Sequence, residues 1–171
     1  YKQGETVVTE PTNAGKYTVL AKAAATANFA EFTETKIGEL VIAKATATVE
    51  DAFTYENQTF TYDGNAKTAN VTSNKLINDF TLAPVITYKK NGETVTEVKD
   101  AGVYEVWVGA VETDNYNAIE SAKIGTLTIT ASELSFSIEE GTNKATYDGN
   151  SHKATVKATD SKYDGTLTVT Y

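Results

Sequence analysis

The residues of this chain that could carry out chemistry are few and scattered. His152 is the only histidine, and an earlier copy of the same segment has Lys67 in its place. Two unlike residues at one site indicate a tolerant surface position and not a general base. Cysteine, methionine and arginine are absent, and the sequence has neither a nucleophile elbow nor a phosphate-binding glycine loop. The sequence therefore predicts a protein that is not an enzyme and carries no catalytic cofactor.

Two acidic pairs are the candidate metal ligands, with calcium as the ion. Glu50 and Asp51, and likewise Glu139 and Glu140, stand at matching places in two copies of a repeated segment, close to the joint between copies. Because Ca²⁺ takes oxygen ligands alone, carboxylates would suffice. An ion shared by adjacent copies would stiffen the joint. The alternative is a solvated acidic turn, because no twelve-residue loop of the EF-hand type occurs.

Trp107, the only tryptophan, is the candidate ligand-binding residue. The alternation of its strand places it on the outward face, where the previous copy has Leu20. An outward tryptophan can stack on a sugar or mark a protein interface. The alternative is a ring half covered by a lysine or threonine of a neighbouring strand.

All of these residues belong to a sequence repeat with a period near 87 residues. Tyr17 and Tyr104 lie 87 residues apart in similar segments, and Tyr-Asp-Gly-Asn occurs at residues 62–65 and again at 147–150. Self-similarity at a fixed period marks an array of like modules. The chain divides into the C-terminal half of one repeat at residues 1–43, a complete repeat at residues 44–131 and the N-terminal half of the next at residues 132–171.

Alternation with a period of two residues predicts β-strands along most of the chain. Tyr104, Val106 and Val108 share one face of a strand, and the first copy shows that this is the buried face. Asn91-Gly92 between two strand-like runs is the strongest short hairpin signal. Short strands separated by turns, without a long helical pattern, predict an all-β sandwich.

The two tyrosine segments resemble the tyrosine corner of immunoglobulin-like sandwiches. In that corner the tyrosine hydroxyl bonds to the backbone a few residues upstream, which would pair Tyr17 with Asn13 and Tyr104 with Asp100. Residues 11–19, with the later Asn-aromatic pair, the closing Leu-x-Ile strand and the Tyr-Asp-Gly-Asn turn, resemble the mostly bacterial immunoglobulin-like (MBG) repeats. The resemblance covers nearly all of the chain. It implies immunoglobulin-like β-sandwich repeats in a linear tandem array, outside the cell, in large bacterial surface or adhesin proteins.

Composition excludes two classes of partner. The net charge of −8 opposes the phosphates of nucleic acid, and without arginine there is no bidentate phosphate clamp. No apolar run approaches the ~20 residues that span a bilayer. We therefore expect neither nucleic-acid binding nor membrane insertion of this segment.

Two functional hypotheses follow. The first is a structural spacer of an extracellular fibre, filament or adhesin stalk. The second is an adhesin module that grips a glycan or host protein through Trp107. Core positions match between copies, as in Tyr17 with Tyr104, whereas outward positions differ, as in Leu20 with Trp107. This pattern favours the spacer.

The incomplete repeats imply a further partner. Residues 1–43 and 132–171 would each expose an apolar face and unpaired strand edges. Tyr1 and Tyr171 both align with Tyr88, so residues 1–9 should pair with a strand equivalent to residues 166–171. That strand belongs either to a longer polypeptide or to a neighbouring copy joined head to tail.

Overall fold

The regular secondary structure of the protein is almost entirely β-strand, as its alternation predicts. A computed structural model describes residues 1–170, and the chain is 41% strand and 4% helix. This confirms the prediction of an all-β, immunoglobulin-like sandwich. Tyr171, aligned with Tyr88 above, lies outside the described residues. Among residues 1–170 no helix is long and apolar enough to cross a membrane.

The first unit is a single four-stranded sheet with the order β2-β1-β3-β4. Its strands are β1 (Lys2–Gln3), β2 (Thr6–Val7), β3 (Gly15–Ala23) and β4 (Phe32–Ile42). All pairs are antiparallel. Among the described residues of this unit Tyr17 is the only buried apolar one, because no second layer formed by residues 1–170 lies over the sheet.

The middle unit has two layers. It comprises helix α1 (Val49–Ala52) and strands β5 (Phe53–Thr54), β6 (Gln58–Thr61), β7 (Thr72–Ser73), β8 (Val85–Lys90), β9 (Glu93–Val95), β10 (Gly102–Ala110) and β11 (Ile119–Thr130). One sheet has the order β6-β11-β10-β8-β9, and β5 pairs with β7 in a second sheet. Strand β6 runs parallel to β11, whereas the other pairs are antiparallel.

The core of this unit lies against the face of β10 that the alternation of its residues predicts to be buried. Tyr104, Val106 and Val108 are at most 2% exposed, whereas Val103 on the other face is 56% exposed. Val49, Phe53 and other residues of the second layer belong to the same cluster of buried side chains. Apolar burial of this extent is the main term that stabilises the sandwich.

The hairpin between β8 and β9 has the predicted turn. Asn91 and Gly92 both have positive φ, at 53° and 86°. Two left-handed residues in succession match the right-handed twist of the flanking strands. The Asn-Gly signal is thus confirmed.

The last unit has two short strands, β12 (Phe136–Ile138) and β13 (Val156–Ala158), paired antiparallel. They reproduce the second layer of the middle unit. Phe136 faces Ala158 as Phe53 faces Ser73. None of the described residues of this unit is buried.

The first unit reproduces the other half of the middle unit. Tyr17 pairs with Leu40 as Tyr104 pairs with Leu127, and both strand pairs carry an irregularity two or three residues further along. The β1–β2 hairpin corresponds to the end of β8 with β9. Within the chain, residues 1–9 pair with one another and with β3, and not with residues 166–170.

Candidate functional site: the joints between repeats

A buried tyrosine fixes one end of each of the first two units. We call this end, at Asn13-Ala14 before β3 and at Asp100-Ala101 before β10, the pole of the unit. The Tyr17 hydroxyl donates to the Asn13 carbonyl oxygen, and the Tyr104 hydroxyl donates to the Asp100 carbonyl oxygen, both at 2.8 Å. Both rings are 2% exposed. Since a buried hydroxyl needs a partner, this bond sets the path of the backbone just before β3 and β10.

The first joint is built on the pole that Tyr17 fixes. The side chain of Asn115, in the loop between β10 and β11, reaches across to the preceding unit. Its Oδ1 accepts from the Ala14 backbone N–H at 2.7 Å, and its Nδ2 donates to Asn13 Oδ1 at 3.0 Å. An amide is suited to this double contact because it offers one acceptor and two donors.

The same loop holds the linker between the two units. The Ala45 N–H donates to the Asn115 carbonyl oxygen at 2.8 Å, and the Asn117 N–H donates to the Ala45 carbonyl oxygen at 2.9 Å. Lys44 Nζ lies 3.3 Å from Glu112 Oε2. Both the N–H and the carbonyl oxygen of Ala45 are therefore hydrogen-bonded to the middle unit.

A small open cavity of about 390 Å³ lies at this joint. Ile42 and Ala43 line it from the first unit, and Phe80 and Tyr116 line it from the middle unit. The two rings are stacked with their centroids 5.3 Å apart. The Tyr116 hydroxyl accepts from the Ile77 N–H at 3.1 Å, so this apolar wall is braced from within its own unit.

The second joint uses the matching pole of the middle unit. Asp100 and Ala101, the counterparts of Asn13 and Ala14, line an open cavity of about 440 Å³ together with Lys162 and other residues of the last unit. Lys162 Nζ also contacts the Asp63 carbonyl oxygen. The contact between consecutive units thus uses the same pole of the fold twice.

Trp107 lies on the outward face of β10 and is half-buried. Lys89, on the adjacent strand β8, places its Nζ 3.7 Å from the ring centroid. The indole Nε1 donates to Glu105 Oε2 at 3.1 Å, and Lys123 Nζ lies 2.7 Å from Glu105 Oε1. The ring face and the indole N–H are therefore both engaged by the protein itself.

The acidic pairs occupy different places in their units. Glu50 and Asp51 lie in α1, ahead of β5, whereas Glu139 and Glu140 follow β12. The expectation of matching places is therefore wrong, because the strand pairing aligns β12 with β5.

Asp51 has a local role at the start of α1. Its N–H donates to Thr48 Oγ1 at 3.2 Å, and its carboxylate accepts from the Thr48 N–H at 3.0 Å. This reciprocal bonding is a capping box, and the Thr48 hydrogen bonds lower the pKa of Asp51. Within residues 1–170 no group of three or more His, Cys, Asp or Glu side chains could hold a metal ion. Calcium binding at either pair stays a prediction.

His152 and Lys67 have a shared contact that the sequence did not reveal. Lys67 Nζ lies 2.6 Å from Asp63 Oδ2, and His152 Nε2 lies 2.9 Å from Asp148 Oδ1. Each side chain meets the aspartate of its Tyr-Asp-Gly-Asn turn. Lys67 is the first cause, and the Asn65 N–H the next, of a pKa for Asp63 lowered to about 2. The position is therefore not simply tolerant, because both residues bond to the turn.

The two units that meet at the first joint match one known family. The MBG domain family matches the chain twice, over residues 1–46 and 47–133, which together make up most of its length. These matches confirm the resemblance drawn from the tyrosine segments. No curated protein and no solved structure is significantly similar to the chain.

Proposed function

The chain belongs to the MBG domain family, whose members are repeat domains of bacterial surface proteins, and we propose that it acts as a structural spacer. In this role it is a non-enzymatic, extracellular stalk segment of a surface fibre, filament or adhesin. Its successive sandwiches are held in a fixed mutual orientation, so that the segment supplies reach and stiffness.

The observation that carries the proposal is the contact of Asn115 with Asn13 and Ala14. A flexible string of domains needs no such bonds, because a polar linker alone would join them. Here one side chain bonds both the backbone and the side chain of the preceding unit. Only six residues separate the end of β4 at Ile42 from the start of α1 at Val49.

The Trp107 environment also supports the spacer. A sugar that stacked on the indole would have to displace Lys89 from the ring face. It would also compete with the bond between the indole N–H and Glu105. A tryptophan covered in this way stabilises a strand pair, and this weakens the adhesin hypothesis.

Small-angle scattering of the 171-residue chain tests the proposal. Asn115→Ala removes both side-chain bonds of the joint, so the variant should sample bent arrangements and its scattering should indicate a more flexible particle. Asn70→Ala is the matched control, because Asn70 is exposed and lies on the same unit away from the joint. If Asn115→Ala and Asn70→Ala both scatter like the parent, the Asn115 contact does not set the orientation.

A further inference from the structure

We propose that the middle unit has a mechanical function: it bears tension along the stalk, and the parallel pairing of β6 with β11 is the contact that resists this tension. The inference rests on the proposed spacer role, because tension reaches the unit only if it is a segment of a stalk. It goes beyond that role, since a spacer that sets reach and orientation need not resist extension.

Tension enters and leaves the middle unit at opposite ends of its strands. It enters at the linker, where Ala45 is hydrogen-bonded to the loop that contains Asn115. It leaves after Thr130, the last residue of β11, which ends beside the pole because Ile129 pairs with Gly102. The loop of Asn115 follows the other end of β10, whose nine residues span about 30 Å. The pull is therefore directed along the strands.

The pairing of β6 with β11 converts this pull into shear. The two strands run parallel, in the register Gln58 with Leu127 to Thr61 with Thr130. Strand β6 is joined to the linker at its N-terminal end, whereas β11 leads to the exit at its C-terminal end. Tension therefore draws the two strands in opposite directions along their own axes. Because the hydrogen bonds of a sheet run across the strands, all of the bonds between β6 and β11 are loaded together.

The linker repeats this arrangement on a smaller scale. Ala45 forms a parallel bridge with Tyr116, a few residues before β11 begins. The bridge has two backbone hydrogen bonds, one from the Ala45 N–H to Asn115 and one from the Asn117 N–H to Ala45. The chain thus pairs in parallel with the same C-terminal segment at two successive places, and β6 forms the longer of the two contacts.

Two side chains, which we call the side-chain clamp, lengthen the contact between β6 and β11. The Tyr55 hydroxyl donates to the Thr126 carbonyl oxygen at 2.9 Å, and Asn57 Oδ1 accepts from the Thr126 N–H at 2.8 Å. Thr126 directly precedes the residues of β11 that pair with β6. Gly125 leaves the space for the clamp, since a Cβ there would lie 2.6 Å from Asn57 Oδ1 and 2.7 Å from the Tyr55 ring. The Tyr55 hydroxyl therefore makes a bond that tension loads.

A matched bond elsewhere in the unit separates resistance to tension from ordinary stability. The Tyr88 hydroxyl accepts from the Ala69 N–H at 2.8 Å, and both Tyr55 and Tyr88 are half-buried. This bond joins β8 to the loop between β6 and β7, so tension does not load it before β6 and β11 separate. Tyr55→Phe and Tyr88→Phe should therefore lower the free energy of unfolding by similar amounts, because each loses one bond between a hydroxyl and the backbone. They should differ only under tension.

Optical tweezers measure that difference on the 171-residue chain. Ala43→Cys and Glu133→Cys supply the attachment points, because both positions are exposed and the chain has no cysteine of its own. At a fixed tension we expect Tyr55→Phe to unfold the middle unit about two- to tenfold faster than the parent, the factor for one lost hydrogen bond. Tyr88→Phe should unfold at the parent's rate. Urea denaturation verifies that both variants are folded and similarly destabilised.

A second pulling direction tests the geometry with the side-chain clamp intact. Attachment at Ala66→Cys and Glu133→Cys places both handles at the same end of the pair, beyond Thr61 and Thr130. The pull then peels the strands apart from that end, one bond after another. We therefore expect unfolding at a clearly lower tension than with attachment at Ala43 and Glu133.

Equal acceleration by Tyr55→Phe and Tyr88→Phe, or unfolding at the same tension in both pulling directions, overturns the proposal. That failure is distinct from a failure of the spacer role. If the tyrosine variants behave alike while Asn115→Ala alters the scattering, the fixed orientation stands and the load-bearing pair is wrong. If only Tyr55→Phe unfolds faster under tension while Asn115→Ala scatters like the parent, the pair bears load in a flexible string of units.

Discussion

Tyr104 is the residue that links the core of the middle unit to its pole. Its ring is buried among the β10 and β11 side chains, and its hydroxyl holds the Asp100 carbonyl oxygen. Lys90 Nζ lies 4.8 Å from the same ring centroid and donates to the Ala101 carbonyl oxygen at 3.1 Å. The joint surface at Asp100 and Ala101 is thus shaped by the core behind it.

Removal of that hydroxyl should be costly. Tyr104→Phe removes the hydroxyl of a buried ring and its hydrogen bond to the Asp100 carbonyl oxygen, and we expect the free energy of unfolding to fall by about 1–3 kcal/mol. Urea denaturation of the purified chain measures the loss. Tyr147→Phe is the control, because Tyr147 is 93% exposed and should be neutral. Equal stability of the Tyr104→Phe variant and the parent would contradict the corner's structural role.

Trp107 and Lys89 should be energetically coupled. The ammonium group over the ring predicts a favourable cation–π term of about 0.5–1 kcal/mol at a half-exposed site. A double-mutant cycle with Trp107→Ala and Lys89→Ala measures this term from the unfolding curves of the parent, the two single variants and the double variant. A coupling energy of zero, together with glycan binding that Trp107→Ala abolishes, would favour the adhesin hypothesis instead.

The contacts of Asn115 across the first joint could not be predicted from the sequence. The sequence places Asn28 and Asn115 at the same position of two repeats, each before an aromatic residue. The Asn-aromatic pair is one of the motifs that resemble the MBG repeats, but it does not predict which groups the amide contacts. Its partners are Asn13 and Ala14, about a hundred residues away. Such a contact depends on how two units are placed, and periodicity within one unit carries no information about that.

At the scale of elements, the long strands could be predicted and the short ones could not. Strands β10 and β11 have nine and twelve residues, enough for alternation to reveal the buried face. Strands β5 and β7 have two residues each, too few to show any period. Helix α1 is one turn, and its capping box at Thr48 is the only local signal for it.

The Tyr-Asp-Gly-Asn turn carries a testable electrostatic feature. Lys67 and the Asn65 N–H lower the pKa of Asp63 from 3.8 to about 2. Since the folded-state pKa is below the unfolded one, the turn's contribution to stability is complete above pH 3.8 and is lost as the pH falls toward 2. The carboxyl resonance of Asp63, followed by NMR, should therefore titrate at about 2.

Lys67→Ala should raise that pKa toward the ordinary value of 3.8, because the first cause of the shift is removed. Lys75→Ala is the matched control, since Lys75 pairs with Asp79 in an exposed contact. An Asp63 pKa that is the same in the parent and in Lys67→Ala would show that Lys67 does not hold this turn.

At the scale of the whole molecule, the protein is a succession of units that meet at one repeated surface. The Asn13 and Asp100 poles occupy the same place in their units and each faces the next unit along the chain. Repetition of one contact is what the predicted linear array requires, because each unit of such an array meets only its neighbours. The sequence predicts the tandem order from its period, and the fixed orientation of the units is our proposal from the contacts at Asn115 and the linker.

The interspin distance between two labelled cysteines, one on each side of the first joint, tests the fixed orientation most directly. Lys22→Cys on the first unit and Glu120→Cys on the middle unit place both labels on exposed strand positions. We expect a single narrow distance distribution for this chain and a broad one when Asn115→Ala is added. A broad distribution in the labelled chain that still has Asn115 would contradict the proposal that the first two units are held in a fixed mutual orientation.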